Sequence, residues 1–339
     1  MNIFITGGAG FIGCNTADYY LRQGHQVTLF DNLSRKGGES NLNWLTERHG
    51  GDNINLIRGD IRDYAALTEH IAGAAAVIHL AGQVAVTLSV QDPRTDFEIN
   101  ALGTFNVLEA VRNRCPEVPF LYASTNKVYG GMEEIRIGET DTRYTYLDYP
   151  EGMPESYPLD FHSPYGCSKG TGDQYTRDYA RIYGLKTVVL RQSCIYGQRQ
   201  FGVEDQGWVA HFIIATVMGR PISIYGDGKQ VRDLLHVKDL VRAYDTCIAQ
   251  IDTVKGEVFN VGGGPENSLS VWAEFGPLLE QIHEEPIPVS HGTWRPGDQQ
   301  VFIADIRRAQ ERLGWQPEIN PSAGIRDLYN WVSSNRHLF

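Results

Sequence analysis

Residues 2–13 read Asn-Ile-Phe-Ile-Thr-Gly-Gly-Ala-Gly-Phe-Ile-Gly, a short apolar run that breaks into four glycines. The run 2–6 predicts a buried strand, and the residues from Phe11 onward predict a helix over 11–23. Between them Gly7 permits a tight turn, Gly10 lets the backbone approach a pyrophosphate, and Gly13 packs the helix against the strand. The helix opens at Phe11 and Ile12, so its free N–H groups point at the phosphates. Glycine turns are common, but one placed between a strand and a helix is the context a dinucleotide site needs.

Outward from this unit the pattern repeats. Residues 26–30, 54–59, 75–82, 119–125 and 186–193 are Val-, Ile- and Leu-rich runs without clean alternation. Helical segments are expected at 64–72, 93–113 and 168–183. Such strands suit a parallel sheet buried on both faces, and strand–helix alternation implies an α/β fold of Rossmann type. The expectation is a doubly wound parallel sheet with a smaller, interleaved C-terminal substrate domain. A dinucleotide-binding domain is expected over 1–190, with 231–264 returning to it, and the substrate domain over 191–339. Residues 197–210 and 220–233 read as loops and short elements, 241–251 as a helix and 257–264 as a further strand.

The second strand ends in Asp31, eighteen residues after Gly13 and near the spacing of about 20 expected for the acid on the adenosine ribose. A carboxylate there accepts from the 2′-OH and repels a 2′-phosphate, which favours NAD over NADP. Arg35 and Lys36 work against that preference. Asp60-Ile61 after the third strand are placed to flank adenine, and the backbone of Leu80, Ala81, Gly82 and Gln83 to line the pyrophosphate–ribose run.

Composition narrows the class. The 339 residues carry 30 Lys+Arg against 41 Asp+Glu, a formal charge of −11, which disfavours non-specific nucleic-acid or anionic-membrane binding. Hydrophobic residues make up 42% of the chain, enough for a packed core. The five cysteines (14, 115, 167, 194, 247) are odd in number and show no C-x-x-C spacing, arguing against disulfides and zinc. No apolar stretch reaches the roughly 18 residues of a membrane helix, and the N-terminus has no secretory pattern. A soluble cytoplasmic protein without a metal is expected.

Tyr165-Gly-Cys-Ser-Lys169 is the second strong signal, because residues i and i+4 on a helix share one face. A free tyrosine with a pKa near 10 is a poor base, and an adjacent ammonium and an oxidised nicotinamide both favour its phenolate. Tyr165 would then take a hydroxyl proton as hydride leaves, with Lys169 also holding the nicotinamide ribose. Thr125, at the end of the strand closing with Ser124-Thr125, would offer its hydroxyl to the same substrate oxygen. A surface pair and a strand-end threonine bonded to backbone are the structural alternatives.

TGGAGFIG, Asp31, HLAGQ, STNKVYG, Tyr165/Lys169, GDGKQVRD and RPGDQ occur in this chain in the order seen in extended short-chain dehydrogenase/reductases acting on nucleotide sugars. The resemblance covers nearly the whole chain. It is closest to the CDP-paratose 2-epimerase (CDP-tyvelose epimerase) group through DNLSRKG, STNKVYG, PLDFHSPYGCSKG and RQFGVEDQGW. It implies tightly held NAD⁺ contacted by Gly7, Gly10, Phe11, Ile12, Asp31, Asn32, Ser34, Arg35, Asp60, Ile61, Leu80, Ala81, Gln83, Tyr165 and Lys169. It further implies Arg232 and Arg295 on the substrate diphosphate, Asp298 on its ribose, Tyr225 near the base, and Trp208 and Val209 lining the base pocket, with core packing as the alternative for Trp208. Lys127 is a candidate for the sugar or its diphosphate, with a structural salt bridge as the alternative. Cys194 stands where galactose epimerases often place an asparagine. The insert 131–162, with Tyr144, Tyr146, Tyr149 and Tyr157, would either cap the site or pack on the surface.

Sugar-nucleotide 4,6-dehydratases carry an acidic pair after the threonine, whereas here Asn126 and Lys127 follow Thr125. Neither serves as the acid or base that elimination needs. The expected reaction is therefore epimerisation by transient oxidation and return of the same hydride, and the resemblance points to C2 of CDP-paratose as the centre inverted. The alternatives are C4 epimerisation or net redox of a UDP- or dTDP-hexose, and a non-enzymatic NAD-sensing regulator. The resemblance also implies a homodimer or homotetramer.

Overall fold

The computed structural model describes residues 1–294 and 298–339. Two compact units emerge, the first made of 1–128, 161–191 and 241–259, the second of 129–160, 192–240 and 260–339. Among the described residues no helix is long and apolar enough to cross a membrane.

The first unit opens β1 (Asn2–Thr6), α1 (Phe11–Arg22), β2 (Gln26–Asp31), α2 (Gly38–His49), β3 (Ile54–Arg58), α3 (Tyr64–His70) and β4 (Ala76–His79). It continues through α4 (Val86–Gln91), α5 (Pro93–Phe97), α6 (Gly103–Arg114) and β5 (Phe120–Thr125). After the β6 (Ile137–Glu139) and β7 (Tyr144–Tyr146) hairpin of the second unit come α7 (Ser163–Tyr183) and β8 (Thr187–Gln192). Further on lie β9 (Cys194–Tyr196), α8 (Trp208–Val217), β10 (Ile222–Tyr225), β11 (Val231–His236) and β12 (Val258–Val261).

The seven-stranded sheet runs β12-β8-β5-β4-β1-β2-β3, with β1 to β5 paired in parallel. Phe4, Phe30, Val77, Phe120 and Val189 from its strands pack with Val107, Leu108 and Val111 of α6 into one core cluster. The near-continuous apolar runs thus form a sheet buried on both faces. Because β2 and β3 lie on one side of β1 and β4 on the other, the loops leaving β1 and β4 diverge. Their mouths form the crevice in which a doubly wound sheet takes its ligand.

Three local details differ from the sequence reading. The helix α2 was not expected, since Leu45 is the sole large apolar residue it buries and its N-cap is Gly37, which has no capping side chain. The run 93–113 is helical but contains a wider π-turn at Glu98–Leu102 between α5 and α6. Helix α7 starts at Ser163, not 168, because Pro164 suits a first turn and the Ser163 hydroxyl accepts from the Gly166 N–H at 3.2 Å. Tyr165 is therefore in the first turn of that helix.

In the second unit β11 pairs with β9 and with Val301–Phe302 in parallel, and β10 pairs with Val289–Gly292. Its core gathers Val209, Phe212, Ile213, Ile224, Phe275, Leu279, Leu328 and Trp331. The stretch 220–233, read as loops, contains β10 and the start of β11. The insert from residue 129 to 160 clusters with this unit, and the part of the later chain that clusters with the first unit is 241–259, not 231–264. Hydrogen bonds account for the insert: Tyr144 Oη donates to Asp227 at 2.6 Å and Tyr146 Oη to the Val301 carbonyl at 2.8 Å.

Candidate active site

The loop after β1 is built so that no side chain intrudes. Gly7 sits at φ +69°, its N–H donates to Phe30 O at 2.9 Å, and a Cβ there would lie 2.8 Å from Ala81 N. A Cβ on Gly13 would lie 2.2 Å from the Gly7 carbonyl oxygen. Helix α1 is capped by Gly10, which supplies no side-chain acceptor, and its first turn holds no acid. The amides of Phe11, Ile12 and Gly13 have no intrahelical acceptor in such a turn, so the cradle fits a diphosphate. Asp31 accepts from Ala9 N at 2.9 Å and Leu33 N at 2.7 Å. Burial raises its carboxyl above the ordinary value, and the N–H groups of Leu33, Ala9 and Gly10 oppose the rise. Lone pairs remain on both oxygens for hydroxyl donors. The donor loop and acceptor carboxylate together fit a dinucleotide.

Around this cradle the neighbouring strand ends are fixed by side chains. Thr6 Oγ1 accepts from Leu80 N at 3.1 Å and Ala81 N at 3.2 Å, and its hydroxyl therefore donates to His79 Nδ1 at 2.6 Å. Burial, then the charge of Lys169, pushes His79 down to about 3, so the ring is neutral and its Nε2 faces Thr104 at 3.0 Å. Asn32 Nδ2 donates to Asp60 Oδ2 at 3.1 Å while its carbonyl accepts from Ser34 N. Hydrogen bonds from Arg62 hold Asp60 down at about 2. Ile61 is buried, and a Cβ on Gly103 would meet its Cδ1 at 2.5 Å. Asp60 is thus held in place by Asn32 and Arg62, and Ile61 packs beside Gly103.

Thr125, Tyr165 and Lys169 are brought together as buried groups, 7%, 9% and 7% exposed. Thr125 Oγ1 donates to Asn126 Oδ1 at 3.3 Å and accepts from Lys127 N at 3.3 Å, and its side chain lies beside the Tyr165 phenol. Lys169 Nζ donates to the Ala123 carbonyl at 2.6 Å and lies 4.4 Å from the centre of the Tyr122 ring. Burial lowers this lysine to about 8, against the raising influence of Asp173 and Asp96.

The sequence reading has Lys169 and an oxidised nicotinamide together favouring the phenolate. Burial pushes Tyr165 up to about 12; the Thr125 side chain opposes, Asp96 adds to the rise and Arg35 opposes it. The protein alone keeps the phenol protonated at neutral pH.

Two buried carboxylates flank this trio and were missed. Asp96 accepts from Ser168 Oγ at 2.5 Å, Gln83 Nε2 at 2.9 Å and Asn100 Nδ2 at 3.1 Å. Asn100 Oδ1 also accepts from Gln83 N at 2.9 Å, which fixes the loop after β4. Asp173 takes Arg191 Nε at 2.9 Å, Arg191 Nη2 at 3.1 Å and Ser124 Oγ at 2.8 Å. The available signals were Asp173 four residues beyond Lys169 and Asp96 four before Asn100.

In the second unit Arg232 Nη2 donates to Asp298 Oδ1 at 2.7 Å, so the expected phosphate and ribose groups bond to each other. Tyr225 Oη donates to Glu204. Val209 is 2% exposed within the core, and Trp208 is half-buried against that core, edge-on to Phe275 at 5.1 Å. Arg295 lies outside the described residues. Cys194 is half-buried in β9. Tyr144 and Tyr146 are buried, and Tyr149 stands perpendicular to Tyr157 at 5.8 Å, as packing would have it. A cleft of about 540 Å³ runs between the insert at Met132, Glu133 and Ile135 and the segment Trp294, Asp298 and Gln299. Among the described residues no cluster of His, Cys, Asp or Glu is placed to hold a metal ion.

Known proteins share this construction from end to end. A family model described as GDP-mannose 4,6 dehydratase matches residues 4–328. The CDP-paratose 2-epimerase of Salmonella typhi is 46% identical over 341 residues, covering 98% of this chain and 100% of that protein. Among solved structures, the UDP-glucose 4-epimerase of Thermotoga maritima with UDP-glucose matches with a TM-score of 0.84 at 31% identity, covering 99% of this chain and 100% of its own. The dTDP-glucose 4,6-dehydratase DesIV of Streptomyces venezuelae, with NAD and TYD bound, matches at 0.85 and 26% identity, covering 100% and 99%. With its glycine cradle, its Thr-Tyr-Lys trio and likeness over its whole length, this chain belongs to the extended short-chain dehydrogenase/reductase family of nucleotide-sugar epimerases and dehydratases.

Proposed function

We propose that the chain is an NAD-dependent epimerase that inverts C2 of CDP-paratose to give CDP-tyvelose, in the cytoplasm and with NAD⁺ retained between turnovers. The observation that carries this reading is the buried trio of Thr125, Tyr165 and Lys169, with Asn126-Lys127 following the threonine. It equips the site to move a proton on a carbinol and leaves out the acidic pair that dehydration needs. Identity of 46% to a CDP-paratose 2-epimerase supports the substrate.

A bound nicotinamide supplies the hydride acceptor, then the donor, and a positive charge beside the phenol. Tyr165 accepts the carbinol proton on the way to the ketone and returns it when the reoriented sugar is reduced on the other face. Thr125 orders that transfer by bonding to the same oxygen, and Lys169 holds the nicotinamide ribose. Gly7, Gly10, Phe11 and Ile12 seat the pyrophosphate and Asp31 the adenosine ribose. Asn32, Ser34, Arg35, the backbone of Asp60 and Ile61, and Leu80, Ala81 and Gln83 line the rest. Arg232 with Arg295 binds the substrate diphosphate, Asp298 its ribose, Tyr225 its base, and Lys127 the sugar end. Water exclusion at Tyr165 and Lys169 strengthens each of these electrostatic contacts.

A dimer is part of the proposal. Phe97, Phe105, Tyr175, Ile182 and Tyr183 are 38–66% exposed along α5 to α7, and Phe105 and Tyr175 stack edge to face at 5.9 Å. Exposed apolar side chains grouped on three helices suit a second copy of the chain.

The test is proton NMR of the purified protein with CDP-paratose in D₂O, without added NAD. Growth of the C2-inverted sugar that keeps hydrogen at C2 is expected. Deuterium at C2 would refute direct hydride return, and no reaction in protein shown to contain NAD⁺ would refute the substrate. The likeness to a UDP-glucose 4-epimerase favours C4 inversion of a UDP- or dTDP-hexose as the second reading, and the same assay separates the two.

A further inference from the structure

Lys169 is a cation with almost no access to water, and a buried ammonium needs a counter-charge. The groups facing it can be counted element by element. From β4 comes His79, held neutral by burial. From β5 come the Tyr122 ring and the Ala123 carbonyl, both without net charge. On its own helix, Tyr165 is a protonated phenol one turn back and Asp173 lies one turn on. Asp173 also favours the charged lysine, but it shares its charge with Arg191 of β8, which grips both its oxygens, the two side chains being 2% and 0% exposed. Arg35, from the loop after β2, acts on Tyr165 and brings more positive charge.

That leaves Asp96 of α5. It is 1% exposed, and among the described residues every group bonded to it is neutral: Ser168, Gln83 and Asn100. All three are donors, so the site is shaped for a carboxylate, and an amide in its place would turn N–H groups against N–H groups. Ser168 is the residue before Lys169. Asn100 Oδ1 and Lys169 Nζ lie 3.0 and 4.0 Å from the point where a side chain on Gly82 would begin. The carboxylate and the ammonium thus share one buried pocket at the mouth of β4.

We infer that Asp96 is the counter-charge of Lys169, a positioning residue that keeps the lysine protonated and ties the loop after β4 to the catalytic helix. The inference rests on the assignment of Lys169 to the reaction for its functional meaning, but its test does not. With [ε-¹³C]lysine in the protein as purified, the Lys169 signal, assigned by its loss in Lys169→Met, is titrated by NMR. In the unchanged protein the midpoint lies near 8. Asp96→Asn lowers it by about 1 unit or more, the size of a lost opposite charge, and Asp96→Glu returns most of the shift. A folded Asp96→Asn protein with an unmoved midpoint would overturn the inference. Should Asp96→Asn not fold, the unchanged protein decides: a midpoint near 6, about where burial alone takes a lysine, refutes an effective counter-charge. Turnover by Lys169→Met is read separately, so full activity there would remove the catalytic role of the lysine without touching its pairing with Asp96.

Discussion

Gly13→Ala isolates what the glycine cradle does. The residue has an ordinary helical backbone, so alanine meets no conformational penalty; the whole effect is steric. Its Cβ would stand 2.2 Å from Gly7 O and 2.7 Å from Gly8 Cα, whereas ordinary contacts begin at 3.4 Å. The loop must therefore move by about 1 Å, and every atom that meets it is backbone and has no rotamer to turn. The movement occurs where Gly7 N is bonded to Phe30 and Gly10 N to Gly7. Overpacking of this kind costs about 1–3 kcal/mol of stability. Displacing phosphate donors by a comparable distance is expected to weaken NAD about 10- to 100-fold, or ~1.4–2.8 kcal/mol. Gly24→Ala is the matched control: it sits at φ +77° with nothing within 4 Å of its Cβ, so it costs about 1 kcal/mol of strain and leaves NAD binding intact. Calorimetric titration of nucleotide-stripped protein, beside thermal unfolding of each variant, reads both quantities. Wild-type NAD affinity in Gly13→Ala, or equal losses of affinity in the two variants, would refute the reading of this loop as a close-packed phosphate cradle.

Tyr165→Phe removes the proton-transfer group while keeping the ring in place, and kcat is expected to fall about 10²- to 10⁴-fold with NAD content unchanged; bound nucleotide released on denaturation checks the second half. Arg191→Met strands the buried Asp173 carboxylate and is expected to destabilise the first unit by about 3–5 kcal/mol, read as a lower midpoint in urea. Asp233→Asn tests a pH effect. Burial raises this carboxyl to about 6, against hydrogen bonds from Ser193, Gly264 and Ala304. A carboxyl with a raised folded pKa contributes most below its unfolded value near 4, and that contribution is lost as the pH rises through 6. Freed of this term, worth up to ~3 kcal/mol, the asparagine variant gains on the unchanged protein between pH 4 and pH 6. Parallel unfolding curves across that range would count against it.

Much of the frame is legible in residues 2–13, 31 and 165–169 because those positions do one job each. A glycine that no side chain can replace and a Tyr and Lys one turn apart keep their meaning without neighbours. Asp96 and Asp173 do not. Each is an ordinary helix carboxylate until the fold sets α5 against α7, or β8 behind β5. The same holds for Arg232 and Asp298, which are 66 residues apart and meet only when the second unit forms. Trp208 shows the opposite limit: aromatic composition gives no sign of whether a ring faces a ligand or Phe275. Helix α2 hid because Asn41 occupies a core-facing position, where its amide donates to Ala9 O at 3.2 Å and steadies the glycine loop.

The charges around the trio explain why its base is idle at rest. Burial drives Tyr165 and Lys169 toward neutrality together, one up to about 12 and the other down to about 8. Asp96 acts on both in the same electrical sense: it keeps a proton on the lysine and keeps the phenol from losing one. Asp173 shares its charge with Arg191. The pocket is then balanced, with one ammonium, one carboxylate and a neutral phenol. A further positive charge delivered to this pocket meets a carboxylate that is already ionised and a lysine that opposes it. Tyr165 is a buried phenol beside Thr125 that can answer such a charge by giving up its proton. In the proposed reaction, base strength at Tyr165 would follow the charge of the nicotinamide, rising with the oxidised ring and lapsing with the reduced one. An enzyme that must take a proton in one half-reaction and return it in the other needs that coupling.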